Sequence, residues 1–415
     1  MKSRYLFLFM FLWSFASNGQ NVPFLSLDTV LSRIENNYPL LLSYQYNIEA
    51  LNARVEGTRA WMPPTISAGL MRFPYDLELV KMKDDPMNQA GFGVSFEQMI
   101  PNRHKLDSKT AYANSLATIQ ESKRNWTKND LRKEAKLLYY YRYVAERKLL
   151  VIEENTNLLN MLITLTEARF SSNQSQLQTL FKAKARLAEL KNMQLMYLSA
   201  ISESTIGLNT LMVEQTHAQF EIDSTINPKR YKLVLNDTSG IRSRSDIESM
   251  GRSIEAMRLE QQIMKNGVRP DFGIKAEHMQ MLGMPSQWSL MGMLSLPVPW
   301  STKMYKSEVK AIDFQIQAME TDIQTMELMA KRMAAEKLVM LNNEISQYDL
   351  YEKEILPAYT NNYKVNLLAY EQNTGELFIL LDAWEMLLMK QLEQYDLLFT
   401  ILKLEAEYEY EKEIR

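Results

Sequence analysis

Residues 102–170 read NRHKLDSKTAYANSLATIQESKRNWTKNDLRKEAKLLYYYRYVAERKLLVIEENTNLLNMLITLTEARF, and the stretch holds neither glycine nor proline. Apolar residues return along it at coiled-coil spacing: Leu131, Ala135, Leu138, Ala145, Leu149, Ile152, Leu159 and Ile163. This is a heptad seam with two flaws, Arg142 and Thr156. A helix of roughly 70 residues at 1.5 Å each reaches ~100 Å, longer than an ordinary globular core requires. A second rod, 300–370, carries a cleaner seam of Val309, Ile312, Ile316, Met319, Ile323, Met326, Ala330 and Met333. The chain contains the same object twice.

What flanks the rods repeats as well. Ahead of the first rod the pattern predicts a helix over 27–61, capped by Ser26 or Asp28 and stopped by Pro63 and Pro64. A hairpin over 65–100 follows, with strands 65–73 and 91–100 around an acidic loop, 74–89. In its second strand Phe92, Val94 and Phe96 alternate with Gly93, Ser95 and Glu97, the period-two signature of a strand. After the rod a polar turn, 171–176, leads into a returning helix, 177–211. Residues 213–242 lose the periodicity and read as a connector. The second half then gives a helix over 243–266, a hairpin over 271–296, the rod 300–370 and a last helix, 376–410. Pro357 is expected to bend or restart the second rod. Local matches support a duplication: Ile48-Glu49-Ala50-Leu51 with Ile254-Glu255-Ala256-Met257, Pro64 with Pro270, Pro101 with Pro299, and Phe170, Asn173 and Leu177 with Tyr370, Asn373 and Leu377. The expected organisation is a leader over 1–19, a first repeat over 20–212, the connector 213–242 and a second repeat over 243–415.

Bulk properties narrow the function. A net charge of -3 gives no footprint for nucleic acid. Glycine and proline number only 13 each, in keeping with long helices and few turns. With no cysteine there is no disulfide framework, thiolate nucleophile or zinc-cysteine site. Lys2 and Arg4, the apolar run 5–15, and the small residues Ser17 and Gly19 compose an export signal. Every later apolar run is broken by charges, so no transmembrane helix is expected.

Four strands of about ten residues have the length that crosses a bilayer at a tilt, and their alternation leaves one lipid-compatible face. Four strands cannot close a barrel, and bare sheet edges are not tolerated in lipid. Three chains pooling their strands would give about twelve, an even number in the range of known barrels. The order of elements, the duplication and the flanking prolines resemble the TolC-like outer-membrane efflux proteins of Gram-negative bacteria. Two turn segments resemble that family's tip motifs: Ala168-Arg169-Phe170-Ser171-Ser172-Asn173 with Leu177 and Leu180, and Ala369-Tyr370-Glu371-Gln372-Asn373 with Leu377, Leu381, Asp382 and Ala383. Ile355-Leu356-Pro357-Ala358 also fits the family's second half.

The resemblance implies a mainly α fold with membrane β: a homotrimer with a 12-stranded barrel, an α-helical barrel through the periplasm and an equatorial belt. It implies a passive, non-enzymatic exit duct, without cofactor, in contact with outer-membrane lipid. Its partners would be a periplasmic adaptor (membrane fusion) protein and an inner-membrane transporter. The family's usual tip glycine is replaced by Asn173 and Asn373, the residue type that best tolerates the left-handed conformation without being glycine. The lipidated cysteine of some branches is missing.

Arg169, Phe170, Asn173, Leu177, Tyr370, Asn373, Gly375 and Leu377 are the candidates for tip or adaptor contact, or for packing between neighbouring hairpins. Glu371, Glu376 and Asp382 would form charge rings at an aperture, or are helix-end charges. Methionines number 27, and Met279, Met281, Met284, Met291 and Met293 crowd the second hairpin. Strand parity puts Met291 and Met293 on the lumen side with Ser289. Soft thioethers suit Cu(I) or Ag(I), which opens a heavy-metal branch, whereas methionine also fills seams such as Met319, Met326 and Met333. His104, His217 and His278 have no partner at metal-ligand spacing, and no reaction centre is visible. The competing reading is a periplasmic coiled-coil adaptor or scaffold, which accounts for the leader and rods but not for the paired hairpins.

Overall fold

The computed structural model describes residues 22–81, 89–170, 177–232 and 240–414. The expected leader and the first turn, with Asn173, lie outside the described residues.

The chain opens with α1, Leu27–Asn37, whose N-cap Ser26 accepts a bond from the Thr29 N–H. Helix α2, Pro39–Gly57, follows at once. One unbroken helix over 27–61 was expected, and Pro39 is why there are two. A residue before proline is forced out of the α region, and Tyr38 sits at φ -65°, ψ 123°. Proline then serves as the first residue of α2, where no backbone donor is needed.

Strands β1, Thr65–Met71, and β2, Gly91–Ile100, form the first hairpin. The expected loop between them contains one helical turn, α3, Glu78–Lys81, whose Glu78 N–H is held by the Asp76 carboxylate at 2.9 Å. Helix α4, Arg103–Phe170, is the first rod, 68 residues without a break. It returns through α5, Leu177–Met212. The second half runs α6, Ser245–Gly267; β3, Asp271–Met281; β4, Gln287–Ser295; and α7, Pro299–Leu350. A five-residue π turn, Tyr351–Ile355, joins α7 to α8, Leu356–Glu371. This is how the chain accommodates Pro357: the ladder widens by one residue just before it, and the Leu356 N–H reaches back to the Tyr351 carbonyl. Helix α9, Leu377–Lys412, closes the chain.

The hairpins merge into one antiparallel sheet in the order β1-β2-β3-β4. The central pairing joins the two halves, from Gly91 opposite Met281 to Ile100 opposite Phe272. Away from the sheet, α4 packs against α1, α2, α5, α6 and α9, while α7 packs on α6 and α9. One core lies at mid-height, where Val30, Ile34, Tyr139, Leu208, Phe220 and Leu402 meet. A second fills the far half around Ile152, Leu159, Leu190, Tyr363, Leu380 and Trp384.

The seam flaw at Arg142 has a structural cause. Its side chain is 4% exposed, lies 4.2 Å over the Phe220 ring and donates to the Phe220 carbonyl and to Glu146. The connector crosses the rod at this point, and Arg142 fastens it. At the chain's end, Glu413 adopts φ 48°, and its carboxylate accepts from the Ser245 N–H and hydroxyl at the start of α6. Among the described residues no helix is long and apolar enough to cross a membrane.

Candidate functional site

The pairing register divides the sheet's residues between two faces. Through the pairing register one face collects Ile66, Leu70, Phe92, Val94, Phe96, Phe272, Ile274, Trp288, Leu290 and Leu294, all exposed in the single chain. The other carries Ser67, Ser95, Glu97, Lys275, Glu277 and Ser289. Strands β1 and β4 form the outer edges, each paired on one side only. Among the described residues nothing covers the edges or the apolar face of this sheet. A patch of this size marks an interaction surface, and open edges invite further strands.

Met291 and Met293 lie on the polar face, opposite Lys275 and Gly273. Sequence parity placed them beside Ser289, and the register does the same. It adds Met71, Met99, Met279 and Met281 to that face, so every methionine of the four strands is there. Met71 and Met99 escaped the sequence reading because only the pairing between hairpins carries them to the methionines of β3 and β4. His278 stands on the apolar face, between Val94 and Trp288 in register. Among the described residues no group of three or more His, Cys, Asp or Glu side chains could hold a metal ion.

At the far end, the turn between α8 and α9 is built on one carbonyl. The Ala369 carbonyl accepts from the Thr374 N–H at 2.9 Å, the Gly375 N–H at 3.0 Å and the Thr374 hydroxyl at 3.0 Å. Asn373 takes the left-handed conformation, φ 56°, which lets the helix terminate and its last carbonyls find donors. At Gly375 a Cβ would stand 3.0 Å from the Ala369 Cβ and 3.1 Å from the Tyr370 nitrogen, so a larger residue would push the turn apart.

The tip candidates separate by burial. Tyr370 and Leu377 are buried in the far-half core with Leu380, Leu381 and Trp384. Leu177, at the start of α5, is exposed. Arg169 and Phe170 are the last two residues of α4. Glu371, Glu376 and Asp382 are all exposed, and none enters an ion pair among the described residues. Glu376 holds the N-cap position of α9, but its side chain makes no capping bond. Sequence reasoning missed Phe181, Phe378 and Ile379, three exposed apolar side chains of this end; the Lys182 amine sits 4.0 Å over the Phe378 ring. The available signal was phase: Phe378 and Ile379 fall between the seam residues Leu377, Leu380 and Leu381.

The connector is held by a buried charge cluster. Glu409 of α9 accepts from Lys136 of α4 at 2.5 Å, from Lys229 at 2.7 Å and from Tyr231 at 2.6 Å. Burial works to raise the Glu409 carboxyl, but these three donors outweigh it and hold it below the ordinary glutamate value. The neighbouring Glu405 is pushed the other way, by burial first and then by the Glu409 charge, with the Lys229 N–H offsetting part.

No protein-family model matches the sequence, and no curated protein matches it. Solved structures do. CusC, reported with the conformational changes that accompany its folding and transmembrane channel formation, aligns with a TM-score of 0.75 at 12% identity, covering 93% of this chain and 91% of CusC. VceC, an outer membrane protein of Vibrio cholerae, aligns with a TM-score of 0.73 at 13% identity, covering 93% of this chain and 95% of VceC. The CmeC outer membrane channel of Campylobacter jejuni aligns with a TM-score of 0.71 at 13% identity, covering 93% of this chain and 85% of CmeC. The rods, the merged four-stranded sheet and the connector at mid-height together are the fold of the TolC-type outer-membrane channels.

Proposed function

We propose that the chain is the outer-membrane channel of a tripartite efflux or secretion system, a passive exit duct working as a homotrimer. The observation that carries this reading is a sheet with two open edges and a bare apolar face, mounted on a rod of 68 residues. A bilayer admits no open edge, so the four strands must be closed by strands of other copies. Three copies supply about twelve strands, an even number in the known range. Strands β2, β3 and β4 have 10, 11 and 9 residues, the length a tilted strand needs to cross. The apolar face then meets outer-membrane lipid, the polar face lines the lumen, and the rods extend into the periplasm.

The exposed tip residues Leu177, Phe181, Phe378 and Ile379 are the surface for neighbouring hairpins and for a periplasmic adaptor, which links to an inner-membrane transporter. Glu371, Glu376 and Asp382 each become a ring of three in the trimer. Such rings favour cations and narrow a resting aperture electrostatically. A second reading of the cargo, soft heavy-metal ions, is favoured by the methionines of the polar face. Energy for transport comes from the partner, since a duct with one continuous lumen performs no chemistry of its own.

The test is the oligomeric mass of protein extracted in detergent from separated inner and outer membranes. A trimer in the outer-membrane fraction is expected. A soluble periplasmic monomer or dimer would overturn the channel and leave the scaffold. Glu371→Gln with Asp382→Asn is expected to raise single-channel conductance of the resting trimer, and unchanged conductance would remove the charge rings from the gate.

A further inference from the structure

All six methionines of the sheet stand on its polar face. A methionine serving as apolar filler belongs with phenylalanine, valine and leucine, on the face that lipid or a neighbour covers. Here that face holds none. The thioethers share the other face with Ser67, Ser95, Glu97, Lys275, Glu277 and Ser289.

The thioethers are also grouped. Met99, Gly273 and Met293 lie side by side across β2, β3 and β4. A Cβ at Gly273 would stand 2.7 Å from the Met99 sulfur and 2.8 Å from the Met293 methyl, so both side chains converge over the space that the missing side chain leaves. Gly93 is covered in the same way, by the Met71 sulfur from β1 and by Met279 from β3, whose Cγ lies 3.7 Å from the same point. Along β3 the two groups are six residues apart, or ~20 Å at the rise of a strand. Met291 lies between them, in line with Glu97 and Lys275.

We propose that this face is a transit site for soft monovalent metal ions, Cu(I) or Ag(I), held between the Met99 and Met293 thioethers over Gly273 and between Met71 and Met279 over Gly93. The inference rests on the channel reading, with the polar face luminal. Neutral thioether donors select soft ions, and Glu97 and Glu277 add negative charge against the single Lys275. Two thioethers hold an ion loosely enough to release it. Several weak sites in series are what a conducting path needs, because tight binding would stop exit.

The experiment uses full-length channel, labelled at the methionine methyls with carbon-13, purified in detergent and titrated with silver(I) nitrate. The methyl signals of Met71, Met99, Met279 and Met293 are expected to shift together and saturate. Met99→Leu with Met293→Leu conserves volume, so the oligomeric mass stays the same. That variant is expected to take up less silver, losing the site over Gly273 while the Met71 and Met279 methyls still shift. Gly273→Ala keeps every sulfur but crowds Met99 and Met293, and should weaken the response of those two methyls alone. Equal binding by wild type and the double leucine variant overturns the proposal, as does a response confined to the seam methionines Met319, Met326 and Met333. Wild-type protein that forms conducting pores yet binds no silver sinks the metal site alone. Wild-type protein that forms no pore sinks the channel reading and the site with it.

Discussion

The two rods come from matching places in the duplicated chain, yet they are stabilised differently. The first, α4, buries polar side chains along its length: Ser108, Ser122, Asn129, Arg142, Lys148 and Thr166. The second, α7 with α8, buries mainly apolar residues along its seam, from Ile312 and Ile316 through Ala330, Ala334, Leu338, Leu341 and Ile345. Neighbours explain the contrast. The first rod is crossed by the connector and flanked on several sides, so polar groups along it meet partners on other elements. Asn129 donates to the Tyr410 carbonyl at 2.9 Å, Arg142 to the Phe220 carbonyl, and Lys148 to Asp396. Among the described residues the long helices packed along α7 are α6 and α9, and its buried seam is mainly apolar. Long rods from one ancestral pattern thus divide the work: one is the mast to which the other elements are tied, the other a stave held by hydrophobic contact.

The largest effect should come where both rods share a residue. Trp384 of α9 is 2% exposed, donates to Asn155 of the first rod at 2.8 Å and packs in one core with Tyr363 of the second. Trp384→Ala should lower unfolding free energy by about 3–5 kcal/mol, read from the denaturant midpoint in detergent. A loss under ~1 kcal/mol would mean that the far half is held by contacts between chains.

Next come the two seams. Arg142→Met leaves the Phe220 carbonyl without its donor and should cost about 1–3 kcal/mol, although it makes the seam more apolar. In the second rod, Leu341→Ala should cost about 2–5 kcal/mol through a plain cavity. If Arg142→Met were stabilising, the first rod would be a seam like the second, and the contrast between them would be gone.

Acid should separate the connector's two attachments. Glu409 is lowered from its ordinary value of 4.5, so its contribution is complete above about pH 4.5 and is lost as pH falls through the lowered folded value. Glu405 has the opposite sign: its raised value means the folded state takes up a proton first, which relieves repulsion from Glu409. The protection factor of the Lys229 amide, which donates to Glu405, should be high at neutral pH and fall below about pH 4.5. On the second rod the connector is held by the Arg230 guanidinium on Asp349, at 2.7 and 3.1 Å at the surface. Asp349→Asn should change stability little, since exposed ion pairs contribute little.

The smallest expected effect is at the π turn. Pro357→Ala restores a backbone donor but frees the unfolded chain, and the net change should stay within about 1 kcal/mol. A crystal structure of this variant should have a regular helix over 351–371. Persistence of the wide turn would assign its cause to packing rather than to proline.

Much of this was legible from residue patterns alone. The second strand of the first hairpin, Gly91–Ile100, begins and ends where alternation begins and ends. The long rods follow from uninterrupted heptads, and Asn373 adopts the left-handed conformation its side chain tolerates. Local chemistry settles such features. Pro39 was also local, and its break in the first helix was readable from the steric rule for the residue before proline. What remained hidden depends on residues far apart in sequence. Arg142 reads as a defect in a heptad until Phe220 is laid across it. Tyr370 and Leu377 are surface candidates until the far-half core encloses them. The six methionines belong to four strands of two hairpins. Alternation assigns each a side of its own strand, but only the pairing of β2 with β3 brings all six onto one wall.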